Sequence, residues 1–336
     1  MSALSTAHEL RNPVTKNYNG IDLIKFLCAF LIVAIHIDPF QGGGSVWAER
    51  INYWTNNYLT RIAVPFYFVT TGFFLFRKMP LTEINTRKIK DYCIKILILR
   101  GIWTILLLFG NSYHLWYLDA TVMAVAIVSF FLHKRVRFGY IALIAVVCYV
   151  FGLMGDSYFG LAKRIDSIPG VNIIRFVGDG QSGIFVGFPF VLMGAYFAHH
   201  MPKCKALTAF IGFAVSMICL LGEVFVLEKL GSPKDHNVYI FLLPAAFFLL
   251  AFACKLELKD RPVYKDLRAI GFLVYALHMM VDWVLEIALA LAAVNVGVNL
   301  TAYRFFLTVP LTLLIAVLIR RLAHKKKFRW LNRLTS

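Results

Sequence analysis

Two ionisable side chains, Lys25 and His36, lie in the first long apolar stretch of the chain, residues 21–40. They are eleven residues apart, so a helix would carry them on nearly the same face, roughly 16 Å from each other. Asp22 falls on that face as well. Charged groups inside a membrane segment are costly and are therefore candidates for function, and an imidazole can act as a base near neutral pH. The plainer alternatives are that Lys25 extends to the membrane surface and that His36 hydrogen-bonds a neighbour there.

A second polar stripe lies in the apolar stretch 269–291. Its members, spaced by three, four and four residues, are Tyr275, His278, Asp282 and Glu286. Residues at these spacings share one face of a helix. A tyrosine, a histidine and two carboxylates beside a membrane cavity could exchange protons with a substrate. The alternative is a hydrogen-bonded network that only packs helices together.

Two arginines also need an explanation in this environment. Arg100 lies near the middle of the apolar stretch 92–110, where an arginine requires a carboxylate, a phosphate or a water-filled cavity. Asp119, on the next apolar stretch, could supply the carboxylate. Arg61 lies near the outer end of the stretch 58–76, where it could instead extend to the membrane surface.

His114 and Trp116 begin the fourth apolar stretch, which opens with the sequence YHLWYLDA. Aromatic side chains are common where a helix leaves the membrane, and this is the simpler interpretation of Trp116. Beside a membrane cavity, an imidazole and an indole could instead contact a substrate.

The stretches that carry these residues are long enough to cross a membrane. Hydrophobic residues make up 60% of the chain and the mean hydropathy is +0.70, whereas soluble domains are about 45–50% apolar. We predict an all-α fold, a polytopic membrane helix bundle of about ten transmembrane helices, because each span needs about 20 apolar residues. The predicted spans are 21–39, 58–76, 92–110, 113–132, 139–155, 181–199, 206–226, 238–254, 269–291 and 303–321.

Basic residues predict the orientation of this bundle. The net charge is +17, and most Lys and Arg residues fall in segments that would face the cytoplasm if both termini did. We therefore predict a cytoplasmic tail at 1–20, a transmembrane domain at 21–321 and a basic cytoplasmic tail at 322–336. The last tail, with its interleaved aromatic residues, is expected to bind anionic lipid headgroups. The positive charge needs no nucleic acid partner, and none is expected.

Several signatures of soluble enzymes are missing from the sequence. It has no GxSxG or HExxH motif and no phosphate-binding Walker loop. It also has no CxxC pair, so neither a metal site nor a disulfide framework is predicted. On the residues alone, helices around a polar cavity fit a transporter and an integral membrane enzyme equally well.

The same residues resemble the pattern of the acyltransferase 3 family of ten-span membrane acyltransferases. Family members carry an arginine and a histidine in their first helix at the spacing of Lys25 and His36, with lysine here in place of arginine. Four further segments resemble family motifs: RIAVPFYFVTTGFF from Arg61, YHLWYL from Tyr113, FPFVLMGA from Phe188 and LVYALH ending at His278. Two subgroups are similar, the O-acetyltransferase of enterobacterial common antigen and the membrane domain of the vancomycin-resistance serine racemases.

The resemblance implies a membrane O-acetyltransferase that uses acetyl-CoA, or another acyl-CoA, as its donor substrate and holds no permanent cofactor. Its acceptor would be a hydroxyl of a cell-envelope glycan or of a lipid-linked precursor at the cell membrane. Lys25 and Arg100 would bind the CoA phosphates, and His36 would be the general base. His278 with Asp282 would orient the base or the acceptor. The residues expected to contact substrate are Arg61, His114, Trp116, Tyr275 and Glu286.

The racemase subgroup implies a different function, in which the bundle moves serine or a similar small substrate across the membrane. Substrate accumulation that does not need acyl-CoA would indicate this alternative. Turnover of acyl-CoA that depends on His36 would indicate catalysis.

Overall fold

A computed structural model describes residues 17–39, 45–107, 112–168, 172–177, 180, 182–296 and 304–335. Most of the predicted tail 1–20 therefore lies outside the described residues. The α-helices are α1 (Asn19–His36), α2 (Val46–Asn57), α3 (Ala63–Phe76), α4 (Thr86–Leu106), α5 (Trp116–His133), α6 (Phe138–Gly155), α7 (Phe159–Asp166), α8 (Ile173–Val177), α9 (Phe188–His199), α10 (Ala206–Lys229), α11 (Leu242–Lys255), α12 (Val263–Val296) and α13 (Arg304–Ala323). The other helical elements are 3-10 helices at Leu59–Ile62, Tyr113–Leu115 and Lys326–Leu334 and a π-helical turn at Gly183–Gly187.

The described residues form an all-α membrane helix bundle, as predicted. The helical segments long and apolar enough to cross a membrane are Asn19–His36, Val46–Phe76, Tyr113–His133, Phe138–Gly155, Ala206–Lys229, Val263–Leu291 and Arg304–Ala323. Gly183–His199 and Leu242–Lys255 are apolar but shorter. Helix α4, which covers most of the third predicted span, is rich in charged residues such as Lys90, Lys95 and Arg100. The count of ten spans and the cytoplasmic termini remain predictions.

The outer faces of the bundle are apolar because they contact lipid. Only 17% of the most apolar part of α13 is buried within the protein, and its exposed side chains include Leu311, Leu314 and Leu318. In α6 and α10 the buried share is 33%. Lipid tails are as apolar as leucine, so these side chains need no protein partner.

The centre of the bundle is formed by α1, α3, α9 and α12. Helix α12 packs on α1 and α13, while α9 packs along α3. Two glycines allow the close approach of α3 and α9. A Cβ atom on Gly72 would lie 2.0 Å from the Val191 carbonyl oxygen, and one on Gly194 would lie 2.0 Å from the Val69 carbonyl oxygen. This reciprocal contact leaves no room for a residue larger than glycine at either of these two positions.

Ion pairs connect the membrane helices at several depths. The pairs that involve α12 are Asp22–Arg268 to α1, and Asp282–Arg304 and Asp266–Arg320 to α13. Removing one partner of such a pair leaves an uncompensated charge in a poorly solvated place, so the pairs fix which helices are neighbours.

The segment Lys326–Leu334, which we call the C-terminal segment, docks on the bundle. The Trp103 indole N–H donates a hydrogen bond to the Leu334 carbonyl at 3.1 Å, and Trp103 is 1% exposed. Arg320 of α13 donates to the Asn332 side chain at 2.7 Å. These contacts are with α4 and α13, whereas the predicted contact of the tail with lipid headgroups remains a prediction.

Candidate active site

The polar side chains inside the bundle surround two adjoining cavities. The first, which we call the histidine chamber, has a volume of about 50 Å³, and its lining includes His36, Arg61, His114, Trp116 and Asn237. The second, the lysine chamber, has a volume of about 240 Å³, and its lining includes Lys25, Thr71, Tyr92, Arg268 and Thr335. The residues that line both are Ile32, Tyr67, Tyr117 and Tyr275. The two cavities therefore lie back to back.

Three of the shared residues, Tyr67, Tyr117 and Tyr275, form a partition that we call the tyrosine wall. The ring centroid of Tyr117 is 5.8 Å from that of Tyr67 and 6.2 Å from that of Tyr275. The Tyr67 hydroxyl donates to the Lys25 carbonyl at 2.7 Å, and the Tyr275 hydroxyl donates to the His114 carbonyl at 2.8 Å. Because these hydroxyls are hydrogen-bonded to the backbone, their rings are held between the chambers.

Helix α1 places one candidate site residue in each chamber. Lys25 lines the lysine chamber and His36, at the last position of the helix, lines the histidine chamber. The eleven-residue spacing keeps both on the face that packs toward α3 and α12. A single rigid element thus sets the separation between the cation and the imidazole.

A chain of hydrogen bonds fixes the His36 ring. Its Nδ1 lies 2.9 Å from the Ile32 carbonyl oxygen and 3.3 Å from Nε2 of His278. A carbonyl can only accept, so Nδ1 of His36 carries the proton and its Nε2 holds the lone pair. His278 Nδ1 in turn donates to the Tyr275 carbonyl at 2.7 Å, which makes its Nε2 an acceptor for His36. The basic nitrogen of His36 is therefore Nε2, in the tautomer that a general base requires.

His114 completes a cluster of three imidazoles. Its ring centroid lies 4.9 Å from that of His278 and 6.1 Å from that of His36. Its Nε2 donates to the Ala276 carbonyl at 3.2 Å, and the residue is 2% exposed. Within the part of the chain that the structure describes, no group of three or more His, Cys, Asp or Glu residues is placed to hold a metal ion. The geometry of the cluster suits proton transfer and hydrogen bonding.

Two cations face the lysine chamber, and only one of them is neutralised. Arg268 binds Asp22 through Nε at 2.7 Å and Nη2 at 2.6 Å. Lys25 lies over the Tyr67 ring, with its Nζ 5.2 Å from the centroid, and forms no ion pair with any described residue. The Lys25 ammonium is thus a positive charge that an anion in the chamber could neutralise.

Arg61 lies in the wall of the histidine chamber, on the 3-10 helix that precedes α3. Its Nε donates to the Asn56 carbonyl, and its Nη1 donates to the Asn237 side-chain oxygen at 2.5 Å. Asn237 is itself held by Asp156, which accepts from its backbone N–H at 2.7 Å and from its Nδ2 at 3.1 Å. Burial raises the pKa of Asp156 above its ordinary value, although hydrogen bonds from neighbouring donors partly offset this effect.

The structure brings most of the predicted site residues together. Those that line the histidine chamber are His36, Arg61, His114, Trp116 and Tyr275, and His278 lies directly behind His36. Lys25 lines the adjoining lysine chamber. Trp116 borders this cavity, as its predicted contact with substrate requires, and its interpretation as a membrane-surface aromatic remains an alternative.

Asp282 and Glu286 lie away from this group. Both bind Arg304: Asp282 is 2% exposed and accepts from Nε at 2.6 Å, and Glu286 Oε2 is 3.0 Å from Nη2. Neither carboxylate forms a hydrogen bond or ion pair with His278 in the described residues. The predicted pairing of His278 with Asp282, to orient the base or the acceptor, is not seen as a direct contact: the Tyr275 carbonyl holds the His278 ring, and Arg304 binds Asp282.

Arg100 lines neither chamber. Its Nε lies 3.1 Å from Asp119 Oδ2, and its guanidinium also contacts the Thr104 hydroxyl. The predicted role of Arg100 in phosphate binding is therefore not supported, whereas the alternative, an ion pair with Asp119, is confirmed.

Sequence reasoning missed several residues that shape the site. Tyr67 and Tyr117 lay inside segments that were singled out for other residues, and a tyrosine in an apolar run gives no periodic signal of its own. Asn237 precedes α11 in a loop, where spacing carries no information about partners. Arg268 lay in a basic segment whose charge was fully explained by membrane orientation.

The comparison with known proteins assigns the chain to a family. The acyltransferase domain model of the acyltransferase 3 family matches residues 18–321, which include both chambers except Thr335. The chain belongs to the acyltransferase 3 family. It is a multi-pass membrane protein of this family, as the motifs around His36 and His278 predicted.

Curated relatives of this acyltransferase-family chain carry racemase names. Two amino-acid racemases of Enterococcus faecalis are 30% and 28% identical to it over 70% and 78% of its length. A serine/alanine racemase of Enterococcus gallinarum is 26% identical over 77% of its length. The chain spans only 36%, 41% and 40% of the length of these relatives, respectively. No solved structure matches the chain.

Proposed function

We propose that this protein transfers an acetyl or other short acyl group from acyl-CoA to a hydroxyl of a cell-envelope glycan or lipid-linked precursor. The observation that carries the proposal is His36, an imidazole in a defined tautomer that lines a chamber back to back with a second, cationic chamber. Membership of the acyltransferase 3 family supports the reaction class. The cell membrane is the expected location.

The lysine chamber is the proposed donor site. Lys25 offers its ammonium as a point charge to a phosphate of the coenzyme, and its wall residue Tyr67 lies next to the histidine chamber. If the thioester of a donor bound in the lysine chamber reached the tyrosine wall, it would lie next to the histidine chamber.

The histidine chamber is the proposed acceptor site. His36 Nε2 removes the proton from the acceptor hydroxyl as its oxygen attacks the thioester carbonyl carbon. The resulting tetrahedral intermediate collapses with cleavage of the carbon–sulfur bond, and the proton on His36 passes to the departing thiolate. The products are the ester and free CoA. His278 accepts from Nδ1–H of His36 and so holds the base in orientation and disperses the charge that develops on it.

A second candidate function is transport of serine or a similar small substrate. The racemase names of the relatives favour it, because a racemase of serine would benefit from a supply of its substrate. Two cavities in series, separated by a wall of side chains, also suit a path across the membrane.

Release of free CoA from acetyl-CoA tests the leading proposal. The purified protein in liposomes would be given acetyl-CoA and a crude glycan extract. We expect His36→Ala to lower the rate by about 10²–10⁴-fold, the usual contribution of a general base. Lys25→Ala should instead raise the acetyl-CoA concentration needed for half-maximal rate, since it removes donor binding. Arg164→Gln, an exposed change on α7, serves as the matched control.

The same liposomes distinguish the two candidates. Absence of acetyl-CoA binding and turnover in a folded wild-type protein would rule out the donor assignment. Uptake of labelled serine without acetyl-CoA would then establish transport.

A further inference from the structure

The arginines of the membrane helices differ in one respect. Four of them each form an ion pair with a carboxylate: Arg100 with Asp119, Arg268 with Asp22, Arg304 with Asp282 and Glu286, and Arg320 with Asp266. Arg50, Arg87 and Arg321 form no ion pair with any described residue either, but they are exposed. Arg61 also forms none with any described residue, although it is only partly exposed and lies within the span Val46–Phe76. A guanidinium in a poorly solvated place without an anion is costly, so its retention there needs a reason.

The direct partners of Arg61 are both neutral. They are the backbone carbonyl of Asn56 and the side-chain oxygen of Asn237. The nearest carboxylate in this network, Asp156, binds Asn237 rather than Arg61. Its oxygens also accept from the Val238 N–H at 3.0 Å and from the Ser157 hydroxyl at 2.9 Å. The charge of Asp156 is therefore satisfied by neutral donors, and Asn237 separates it from the guanidinium.

This arrangement orients the guanidinium, and the two carboxylates that act on it electrostatically, Asp156 and Asp235, form no ion pair with it. The amide nitrogen of Asn237 is bound to Asp156, so its oxygen is the atom that faces Arg61. The two hydrogen bonds of Arg61 use two of its five N–H groups, and no other acceptor among the described residues takes the remaining three. Arg61 also lines the histidine chamber beside His36 and Trp116.

We propose that Arg61 forms an anion subsite in the histidine chamber, which binds a carboxylate or phosphate group of the molecule whose hydroxyl faces His36. Both groups match the two parallel donors of a guanidinium. Asn237 and Asp156 are positioning residues for this subsite. The inference rests on the proposed function only in taking the anionic group to belong to the acceptor. Each chamber then contains one unpaired cation, Lys25 for the donor and Arg61 for the acceptor.

Ligand binding without any acyl donor tests the subsite. Trp116 lines the chamber, so its fluorescence should report occupancy. The probes would be D-glycerate, sn-glycerol 3-phosphate and glycerol, which share a hydroxylated three-carbon chain and differ in the anionic group. We expect a saturable change in fluorescence with at least one of the two anions. The affinity for glycerol should be at least roughly 30-fold weaker, because binding at a charge pair depends on both partners. A preference between the two anions would identify carboxylate or phosphate as the group bound.

Variants localise the effect. Arg61→Gln should lose the anion preference, Arg61→Lys should keep part of it, and Arg164→Gln should behave as wild type. Trp116→Phe should remove the fluorescence change. Equal affinity for glycerol and both anions, no binding of either anion, or unchanged anion affinity in Arg61→Gln would overturn the proposal. If Arg61→Gln does not fold, the wild-type comparison and Arg61→Lys still decide. Anion binding in a protein that releases no CoA would reject the proposed function but not the subsite.

Discussion

A histidine that is to act as a base needs one nitrogen free and the other held, and the Nδ1–H of His36 is shared by the Ile32 carbonyl at 2.9 Å and by Nε2 of His278 at 3.3 Å. The second partner is unusual in being another imidazole, where many enzymes place a carboxylate. An imidazole acceptor orients the ring without a fixed negative charge, which is less costly to keep inside a membrane bundle.

We predict that His278→Phe lowers kcat by about 10- to 100-fold and leaves the KM for acetyl-CoA unchanged, because the change misorients the base without touching the donor site. His278→Gln should recover part of the rate, since its side-chain oxygen can accept from His36. Steady-state release of CoA measures both constants. A raised KM with unchanged kcat would show that His278 acts in binding.

The ion pair of Asp282 with Arg304 stabilises the contact of α12 with α13. Asp282 is 2% exposed, so Arg304→Met should leave its charge unpaired and destabilise the protein by about 3–5 kcal/mol. The double variant Arg304→Met with Asp282→Leu should recover most of that loss. Thermal unfolding in detergent tests this, and a double variant no more stable than the single one would contradict it.

Single residues were only partly predictable from the sequence. The spacing of Lys25 and His36 predicted that one helix carries both, and α1 does. The partner of Asp282 was not predicted, because Arg304 lies on a different helix and periodicity reports a face rather than a contact. The same limit hid Asn237, whose position depends on Asp156 far away in the sequence.

At the scale of the elements, the contact with α9 holds α3 in place, and α3 directly follows the 3-10 helix of Arg61. Helix α3 carries residues that line the chambers, among them Pro65, Tyr67 and Thr71. The reciprocal glycine contact of the two helices, Gly72 on Val191 and Gly194 on Val69, sets the distance between the two axes.

We predict that Gly72→Ala and Gly194→Ala each destabilise the protein by at least about 1–3 kcal/mol, because the added methyl overlaps a backbone carbonyl. Gly222→Ala in α10 is the matched control, since a Cβ there meets nothing within 4 Å. The control should be neutral or raise stability by up to about 1 kcal/mol through helix propensity. Melting temperatures of the three variants in detergent decide the matter. Equal melting temperatures would show that the helices can separate at little cost.

Long apolar runs made these elements predictable. In lipid, a single run of that length can satisfy its backbone N–H and C=O groups only by forming a helix. The docking of the C-terminal segment was not predictable. Its basic composition indicated lipid headgroups, whereas its position depends on Trp103, more than two hundred residues earlier in the chain.

On the scale of the whole molecule, the tyrosine wall divides one polar path into two chambers. Tyr117 is central to it, since its ring lies between those of Tyr67 and Tyr275 and its hydroxyl is 3.3 Å from that of Thr71. No single apolar run predicts such a path, because its residues come from helices far apart in the sequence.

We predict that Tyr117→Ala joins the chambers and raises the relative rate with longer acyl donors, for example octanoyl-CoA over acetyl-CoA, by at least roughly 10-fold, since one methylene in a pocket is already worth about that much. Tyr117→Phe is the control, because it keeps the ring and loses only the hydroxyl with its contacts to Thr71 and Thr121. CoA release with a series of donors measures the ratio. If the ratio is the same in both variants, the wall does not limit the acyl group.

The position of Thr335 has a practical consequence. This residue borders the lysine chamber and directly follows the C-terminal segment. An affinity tag joined next to Thr335 would lie at the chamber wall, and any residues left after its cleavage would remain there. Preparations tagged at the two ends should therefore differ in their apparent affinity for the donor, and the N-terminally tagged one is the better choice for kinetics.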